Sequence, residues 1–350
     1  MTFPRPRGPL IVLGALTLLC AYLAIVYELA LVMMLLGFLL SLFVIGLAVA
    51  LIGSPALVMR REHPAEVMAG ETFSVTLGVI NASVARSALF VEVVDELMKV
   101  GEPRLAVIAS LSPAEQADVV YRSKILKRGE TKISRVECAS RFPFGLFERR
   151  WIVTSTSMII VLPRPGLLRR DILLEAPVEQ AEVPVAVRGG MGEFHGVREY
   201  HHDDNPKRIH WRTSARRGQL HVREFEREIE RRLVVVLGAC EDLEAGVALA
   251  ATLLDHYARR GYRVALAVIG SRPAWVPFGM GPDHVRRALR ALALAGPGTG
   301  EPGGWSPGVI RGAYVVAVGQ APMEKLSGAA SVQSLTPSAD LVAEADDGTG

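Results

Sequence analysis

The chain has 350 residues and half of them are hydrophobic, a fraction that is high for a soluble protein and indicates a membrane segment. Its net charge of +3, from 39 basic and 36 acidic residues, gives no electrostatic reason to expect a nucleic-acid partner. The three cysteines (Cys20, Cys138 and Cys240) lie far apart, without metal-ligand spacing and without the density of a disulfide framework.

Residues 1–54 form the first predicted segment, a transmembrane hairpin. Between Pro9 and Gly53 the only charged residue is Glu28. A helix needs ~20 residues to cross a bilayer, so this stretch is long enough for two spans, at about 9–26 and 30–52, joined by a tight turn. One long tilted helix, or a buried helical pair, is the alternative interpretation.

The charges that flank the two spans predict their orientation. Arg5 and Arg7 precede the first span, Arg60 and Arg61 follow the second, and the turn between the spans contains only Glu28. Because basic residues concentrate on the cytoplasmic side of membrane proteins, we expect an integral membrane protein with cytoplasmic N- and C-termini.

Residues 55–165 contain short alternating apolar runs separated by turn residues, which predicts an all-β sandwich. No catalytic constellation is evident in this segment, and we expect it to be a spacer or a binding module. Its aromatic-rich turn, residues 140–147, is interpreted as a hydrophobic plug at one end of the sandwich, with a partner-binding loop as the alternative.

Residues 230–322 switch to a strand, helix, strand, helix, strand order. Residues 232–237, 262–269 and 312–318 read as buried strands, 241–260 and 282–294 as helices, and 275–278 as a possible edge strand. This order predicts a doubly wound α/β domain with a parallel sheet. Residues 323–350 are small and polar and are predicted to be a mobile tail.

The connecting segment, residues 166–229, contains the most distinctive stretch of the chain at 196–228. It is dense in charge and in imidazole, and its apolar residues follow neither helical nor strand periodicity until about residue 219. It is therefore predicted to be an ordered loop held by polar contacts, and such loops carry function more often than core elements do.

This stretch resembles the signature of the domain of unknown function 58 family, and residues 144–147 resemble a second family feature. The residues that match the signature in order and spacing are Arg198, Glu199, Tyr200, Asp204, Arg208, Ile209, Trp211, Ala215, Arg216, Leu220 and Glu224. The resemblance implies two membrane spans, a β-rich domain and a von Willebrand factor A-like α/β domain. We take Arg198, Tyr200, Asp204, Arg208, Trp211, Arg216 and Glu224 as the candidate interaction residues.

Two positions depart from the family pattern. Asp203 stands where the family usually has glycine, and residues 238–243 lack the Asp-x-Ser-x-Ser motif with which von Willebrand A-like domains bind Mg²⁺. Glu241 and Asp242 remain possible cation ligands, but acidic side chains here suit the start of the following helix. We therefore expect the Mg²⁺-type site to be degraded, with no cofactor.

Five of the eight histidines fall between residues 195 and 221, beside Asp203 and Asp204. His201, His202 and Asp204 are chemically suited to Zn²⁺ or Mn²⁺, but their spacing matches no helical pair of metal ligands, and exposed or stacking histidines are the simpler prediction. Asp204 is also expected to pin the loop by pairing with Arg208, Arg212 or Arg216. Trp211, with Ile209, is expected to be a hydrophobic anchor beneath the loop.

These features favour a non-enzymatic, membrane-tethered scaffold or adaptor that presents the signature segment as a docking surface. The family resemblance implies a MoxR-type AAA+ ATPase, or an envelope complex, as the partner. The alternative is a metal-dependent hydrolase that uses the loop rich in histidine and aspartate, and a ligand sensor is a third hypothesis. Residues 188–232 carry eleven basic and eight acidic side chains, a balance that argues against a nucleic-acid groove.

Overall fold

The chain divides into two compact units, residues 1–163 and 164–350, which we describe separately. The structure is a computed structural model, and it describes residues 5–6, 8–51, 55–99, 105–169, 194–201, 206, 209–225, 231–303, 305–327, 329–337 and 342–343.

Two apolar helices open the first unit after a short strand, β1 (Arg5–Pro6). They are α1 (Gly8–Tyr27) and α2 (Ala30–Leu51), they pack against each other, and the turn between them places Glu28 at a φ of 50°. Only 11% of the most apolar 18-residue window of each helix is buried, unlike the core helix of a soluble protein. The prediction of two apolar helices, each long enough to cross a membrane, is confirmed.

The β domain, residues 55–163, consists of two sheets that share one hydrophobic core. One sheet has the order β2–β4–β7 and the other has the order β1–β9–β8–β5–β6, with β3 beside β9. The strands are β2 (Leu57–Glu62), β3 (Glu66–Met68), β4 (Thr72–Asn81), β5 (Ala88–Asp95), β6 (Ala106–Leu111), β7 (Gln116–Lys124), β8 (Gly129–Ser140) and β9 (Phe147–Leu162).

Alternation along the strands explains how this core forms. In β4, for example, Phe73, Val75, Leu77 and Val79 are buried. They are spaced two residues apart and therefore share one face of the strand. The corresponding residues of β5, β8 and β9 join the same core, so the prediction of a β-rich domain is confirmed.

The aromatic turn between β8 and β9 contacts the second apolar helix. The rings of Phe43 and Phe147 lie 6.0 Å apart edge to face, and a Cβ placed on Gly46 would lie 3.3 Å from Leu146 Cδ1. Leu146 is buried, whereas Phe144 remains 46% exposed. The turn was expected to plug one end of the β domain. The ring of Phe142 stacks on Phe90 of β5, and Leu146 and Phe147 also pack against α2, where Gly46 leaves room for the leucine.

A buried ion pair connects the two sheets of the β domain. The Arg61 guanidinium on β2 donates two hydrogen bonds to the Asp95 carboxylate on β5, from Nε at 2.8 Å and from Nη2 at 2.7 Å. Arg61 Nη1 also donates to the Ser155 carbonyl of β9 at 2.7 Å, and the Tyr121 hydroxyl of β7 donates to Asp95 Oδ2. The side chains of Arg61 and Asp95 are 1% and 0% exposed.

This burial perturbs the protonation equilibria of the group. Burial alone would lower the pKa of Arg61, but its hydrogen bonds to Asp95 and the carboxylate charge outweigh that effect and raise it. Burial, and then the hydrogen bond to Asp95, raise the pKa of Tyr121 far above its usual value. Arg61 is therefore a fixed internal charge. In the folded β domain its guanidinium faces Asp95, and of the two arginines that follow α2, Arg60 is the exposed one.

The second unit is built around a mixed α/β sheet of order β15–β14–β13–β16–β17. β13, β14, β16 and β17 run parallel, and β15 is an antiparallel edge. The elements of the unit are β10 (Leu167–Leu168), β11 (Phe194–Glu199), α3 (Trp211–Arg217), β12 (His221–Phe225), β13 (Arg232–Leu237), α4 (Leu243–Arg259), β14 (Arg263–Val268), β15 (Ala274–Gly279), α5 (Pro282–Ala293), β16 (Tyr314–Val318), β17 (Ser331–Leu335) and β18 (Val342–Ala343).

The three buried strands predicted from continuous apolar runs are present in this sheet, at 232–237, 263–268 and 314–318. The predicted mobile tail is corrected in part. Residues 331–335 add a parallel edge strand to the sheet, and Val342–Ala343 pairs with Leu167–Leu168. An edge strand is buried on one side only, so it lacks the continuous apolar run that revealed the other strands.

We expect Arg61→Met to lower the free energy of unfolding by about 3–5 kcal/mol, because it leaves the Asp95 carboxylate buried without its partner. The double variant Arg61→Met/Asp95→Leu should recover most of this loss, since no buried charge remains. Arg60→Met is the matched control, because Arg60 is exposed and should change the stability by less than about 0.5 kcal/mol. Denaturant titration of the full chain in detergent, followed by circular dichroism, measures all three variants. Equal losses for Arg60→Met and Arg61→Met would contradict the structural role.

Candidate interaction surface

The signature segment folds as a two-stranded hairpin with a short helix between its strands. β11 and β12 pair antiparallel, with Arg198 opposite Val222 and Glu199 opposite His221. The pairing continues past the end of β11, where Tyr200 N donates to the Leu220 carbonyl at 2.9 Å. The expectation of an irregular loop up to residue 219 is therefore corrected, since residues 211–217 form α3.

Local hydrogen bonds explain why so short a helix forms. His210 Nδ1 accepts from the Thr213 backbone N–H at 3.2 Å and caps the start of α3. Gly218 ends the helix with a φ of 70°, a conformation that glycine adopts without steric cost, and its N–H donates to the Ser214 carbonyl. Helical periodicity is not visible in seven residues, so the sequence pattern alone does not reveal this helix.

Ser214 ties α3 to the hairpin. Its hydroxyl donates to the His210 carbonyl at 3.1 Å and accepts from the His221 backbone N–H at 2.9 Å. The His221 side chain is 3% exposed, and its Nδ1–H donates to the Gln219 carbonyl at 2.8 Å. His210 and His221 are thus structural residues. Ser214 was not identified from the sequence. Its spacing, four residues after His210 and four residues before Gly218, was the available signal.

The outer face of α3 carries a tryptophan and two arginines. On a helix, residues 211, 212, 215 and 216 lie within one continuous arc, and all four are exposed, with Trp211 at 68%. The prediction that Trp211 anchors the segment from beneath is wrong. The part of the prediction that concerns Ile209 is confirmed, since Ile209 and Val222 are paired in a β-bridge and each is at least 92% buried, whereas the helix turns Trp211 outward.

The other candidate interaction residues are described only in part. Arg198 is exposed and its Nη1 donates to the Glu199 carbonyl at 3.1 Å, while Tyr200 is half-buried. Glu224 lies in β12 opposite Gly196, but its side chain is outside the described part. Asp204 and Arg208 also lie outside the described residues, and so does the ion-pair network predicted for Asp204.

Three residues predicted as possible metal ligands, His201, His202 and Asp204, belong to the signature segment. His201 is exposed, and its Nδ1 lies 3.3 Å from the Glu199 carbonyl. His202 and Asp204 are outside the described residues. Within the ranges that the structure describes, no three His, Cys, Asp or Glu side chains lie close enough together to hold a metal ion.

Residues 238–243, which follow β13 where von Willebrand A-like domains have their Mg²⁺-binding motif, make contacts within the protein. The Asp242 carboxylate caps α4 by accepting from the N–H groups of Glu244 and Ala245 at 2.9 and 3.1 Å. Ala239 forms a β-bridge with Gln320, and a Cβ added to Gly238 would lie 1.9 Å from the Gln320 carbonyl oxygen. The residues that follow β13 therefore pack directly against the residues that follow β16.

Glu241 and Cys240 are the remaining polar side chains after β13. Glu241 is exposed. The Cys240 thiol packs near Gly246 and lies 3.6 Å from the Val318 carbonyl. Burial, and to a lesser degree the charge of Asp242, raise the pKa of Cys240, which makes it a poor nucleophile and a poor thiolate ligand near neutral pH.

Comparison with known proteins supports the resemblance over this region. Residues 196–306 match the family described as "Protein of unknown function DUF58". The Bacillus subtilis protein described as "Uncharacterized protein YeaD" is 33% identical over 101 residues, which are 28% of this chain and 25% of that protein. The matched region thus spans about a quarter of the length of this curated relative.

Two solved structures resemble part of the chain, but with TM-scores too low to support an argument about fold or function. The CARDB domain of the PF1109 protein from Pyrococcus furiosus has a TM-score of 0.20 at 12% identity, covering 29% of this chain and 88% of that one. The PKD domain of an M14-like peptidase from a Thermoplasmatales archaeon has a TM-score of 0.20 at 12% identity, covering 32% of this chain and 100% of that one.

The role of Asp242 can be tested with one substitution and one ion. We expect Asp242→Ala to lower stability by about 1 kcal/mol through loss of the helix cap, and Mg²⁺ to leave the Tm of both forms unchanged. Thermal unfolding with and without Mg²⁺ measures this. Glu241→Ala is the matched control and should leave the Tm near that of the unmodified chain. A Tm that Mg²⁺ raises in the unmodified chain and not in Asp242→Ala would instead identify Asp242 as a cation ligand.

Proposed function

We propose that the chain is a membrane-tethered scaffold that docks a partner protein through the outer face of α3. The hairpin of α1 and α2 is the tether, with both termini in the cytoplasm as the flanking arginines indicate. The two sheets of the β domain form a sandwich, and the mixed sheet of the second unit is a von Willebrand factor A-like domain. The observation that carries the proposal is the exposed Trp211, which shares one helical face with Arg212 and Arg216.

The composition of this face is typical of the residues that dominate the binding free energy of a protein–protein interface. Tryptophan and arginine are enriched among the residues that contribute most to protein–protein binding. Among the described side chains from 197 to 222, Arg198, Arg212, Arg216 and Arg217 are exposed, and Glu199 is the exposed acid. An acidic and partly apolar partner surface therefore complements the α3 face.

The way α3 is held also supports docking. Both ends of the helix and its inner serine are fixed by the hydrogen bonds of His210, Gly218 and Ser214. A fixed backbone presents Trp211 and Arg216 with little ordering cost on binding. The helix is therefore a preorganised element, which suits recognition more than it suits acid–base chemistry.

The family resemblance implies a MoxR-type AAA+ ATPase, and we propose that this ATPase is the partner. In von Willebrand A-like domains a bound cation completes the binding site for a partner's carboxylate. Here Asp242 caps α4 instead, so partner binding is proposed to rely on the α3 face without a cation at the strand ends.

We expect Trp211→Ala to weaken binding of a purified MoxR-type ATPase from the same organism by at least about 30-fold, because truncating a central interface tryptophan typically costs 2 kcal/mol or more. Arg216→Ala should weaken it about 5- to 10-fold, and less at high salt, where exposed charges are screened. Arg217→Ala is the matched control, since Arg217 is an exposed arginine of the same helix outside the arc of Trp211 and Arg216. Isothermal titration of the full chain in detergent measures the dissociation constants.

Two results would contradict this proposal. Unchanged binding in Trp211→Ala and Arg216→Ala, with unchanged circular dichroism, would remove the α3 face as the docking surface. A stoichiometric Zn²⁺ or Mn²⁺ in the purified chain, lost in His201→Ala or Asp204→Ala, would favour the hydrolase hypothesis instead.

A further inference from the structure

A groove of about 290 Å³ opens beside the C-terminal end of α2, where the second apolar helix meets the β domain. Val49 and Ala50 of α2 line it on one side, and Phe147 and Trp151 belong to β9. Two arginines, Arg86 and Arg149, line the same groove, so it combines apolar walls with positive charge.

The position of the groove follows from the proposed function, on which this inference rests, because a spanning α2 ends at a bilayer surface. Gly46, against which the aromatic turn packs, lies about 8 Å from the end of α2 at Leu51, since an α-helix rises ~1.5 Å per residue. Apolar faces at membrane interfaces are buried to a similar depth of about 5–10 Å. The groove, lined by Val49 and Ala50, therefore lies at the level of the lipid headgroups.

Exposed apolar side chains surround the groove. Phe90 is 53% exposed and its ring stacks on Phe142 with centroids 5.9 Å apart, while Phe144 is 46% exposed beside α2. Val84, 97% exposed, lies in the loop between β4 and β5, which is held beside the end of α2 by a hydrogen bond of 2.9 Å from Ala56 N to Ser83 Oγ. Exposed phenylalanine and aliphatic side chains of this kind contact lipid when they lie at a membrane interface.

The neighbouring acidic side chains are already paired with other arginines. Arg141 contacts Glu92 at 2.5 Å and Glu148 at 3.3 Å, and Arg150 contacts Glu148 at 3.2 Å. The Arg149 side chain makes no hydrogen bond or ion pair with any residue in the described part of the chain. Its positive charge in the groove is therefore not cancelled by Glu92 or Glu148.

We propose that this groove binds the headgroup of an anionic glycerophospholipid from the leaflet in which α2 ends, with Arg86 and Arg149 contacting the phosphate. Guanidinium groups match phosphate oxygens with paired hydrogen bonds. The apolar walls formed by Val49, Phe147 and Trp151 contact the glycerol and the first acyl carbons, which a free phosphate lacks. The chemistry and the continuity with α2 thus favour a lipid over a soluble phosphate.

The test uses the full chain, purified in a mild detergent, and native mass spectrometry to count retained lipids and measure their affinity. Phosphatidylglycerol, phosphatidylcholine and inorganic phosphate are added separately. We expect phosphatidylglycerol to bind selectively, and the variant Arg86→Gln/Arg149→Gln to bind it about 30-fold more weakly. Arg122→Gln/Arg135→Gln is the matched control, because it removes the same charge from two exposed strand positions that do not line the groove.

Three results would overturn the proposal: no preference for phosphatidylglycerol over phosphatidylcholine, equal losses in the groove variant and the control, or inorganic phosphate displacing the lipid at equal concentration. Circular dichroism of both variants establishes that they are folded. Alkaline extraction of native membranes separates this proposal from the tether. If the chain is released, the tether itself is wrong, whereas a retained chain without lipid selectivity contradicts the groove alone.

Discussion

The exposure of the apolar hairpin is the constraint on which the first unit depends. Most of the apolar side chains of α1 and α2 are not buried within the described residues, so water is an unfavourable environment for them and a bilayer is a favourable one. The β domain is built directly onto this hairpin. β1 precedes α1 and pairs with β9, and β2 begins six residues after α2 ends. The aromatic turn then packs on Gly46, which joins the hairpin and the β domain in one packed unit.

Within the β domain, the buried pair of Arg61 and Asp95 fixes the two sheets relative to each other. A buried ion pair often contributes little net stability, but the hydrogen bonds from Arg61 on β2 to β5 and β9 link the two sheets directly. Arg61 lies ten residues after the end of α2, so the same pair also fixes where the chain that leaves α2 enters the β domain.

The sequence predicted those elements whose pattern is long or continuous. The two apolar helices and the strands at 232–237, 263–268 and 314–318 are of this kind, because burial on all sides requires an unbroken apolar run. It did not predict α3 or β17. Seven residues are too few to show helical periodicity, and an edge strand such as Ser331–Leu335 alternates weakly. Trp211 was expected to be an anchor beneath the loop, whereas the helix that turns it outward is set by the capping side chain of His210 and the backbone of Gly218.

The central claim is that the chain brings a soluble AAA+ ATPase to a membrane through an ordered face of the signature segment. Co-flotation with liposomes tests it most directly. The full chain is reconstituted in liposomes, mixed with the purified MoxR-type ATPase and centrifuged through a density gradient. The account predicts that the ATPase rises with liposomes that carry the unmodified chain and stays at the bottom with Trp211→Ala liposomes. An ATPase that stays at the bottom with both, or rises equally with both, would contradict it.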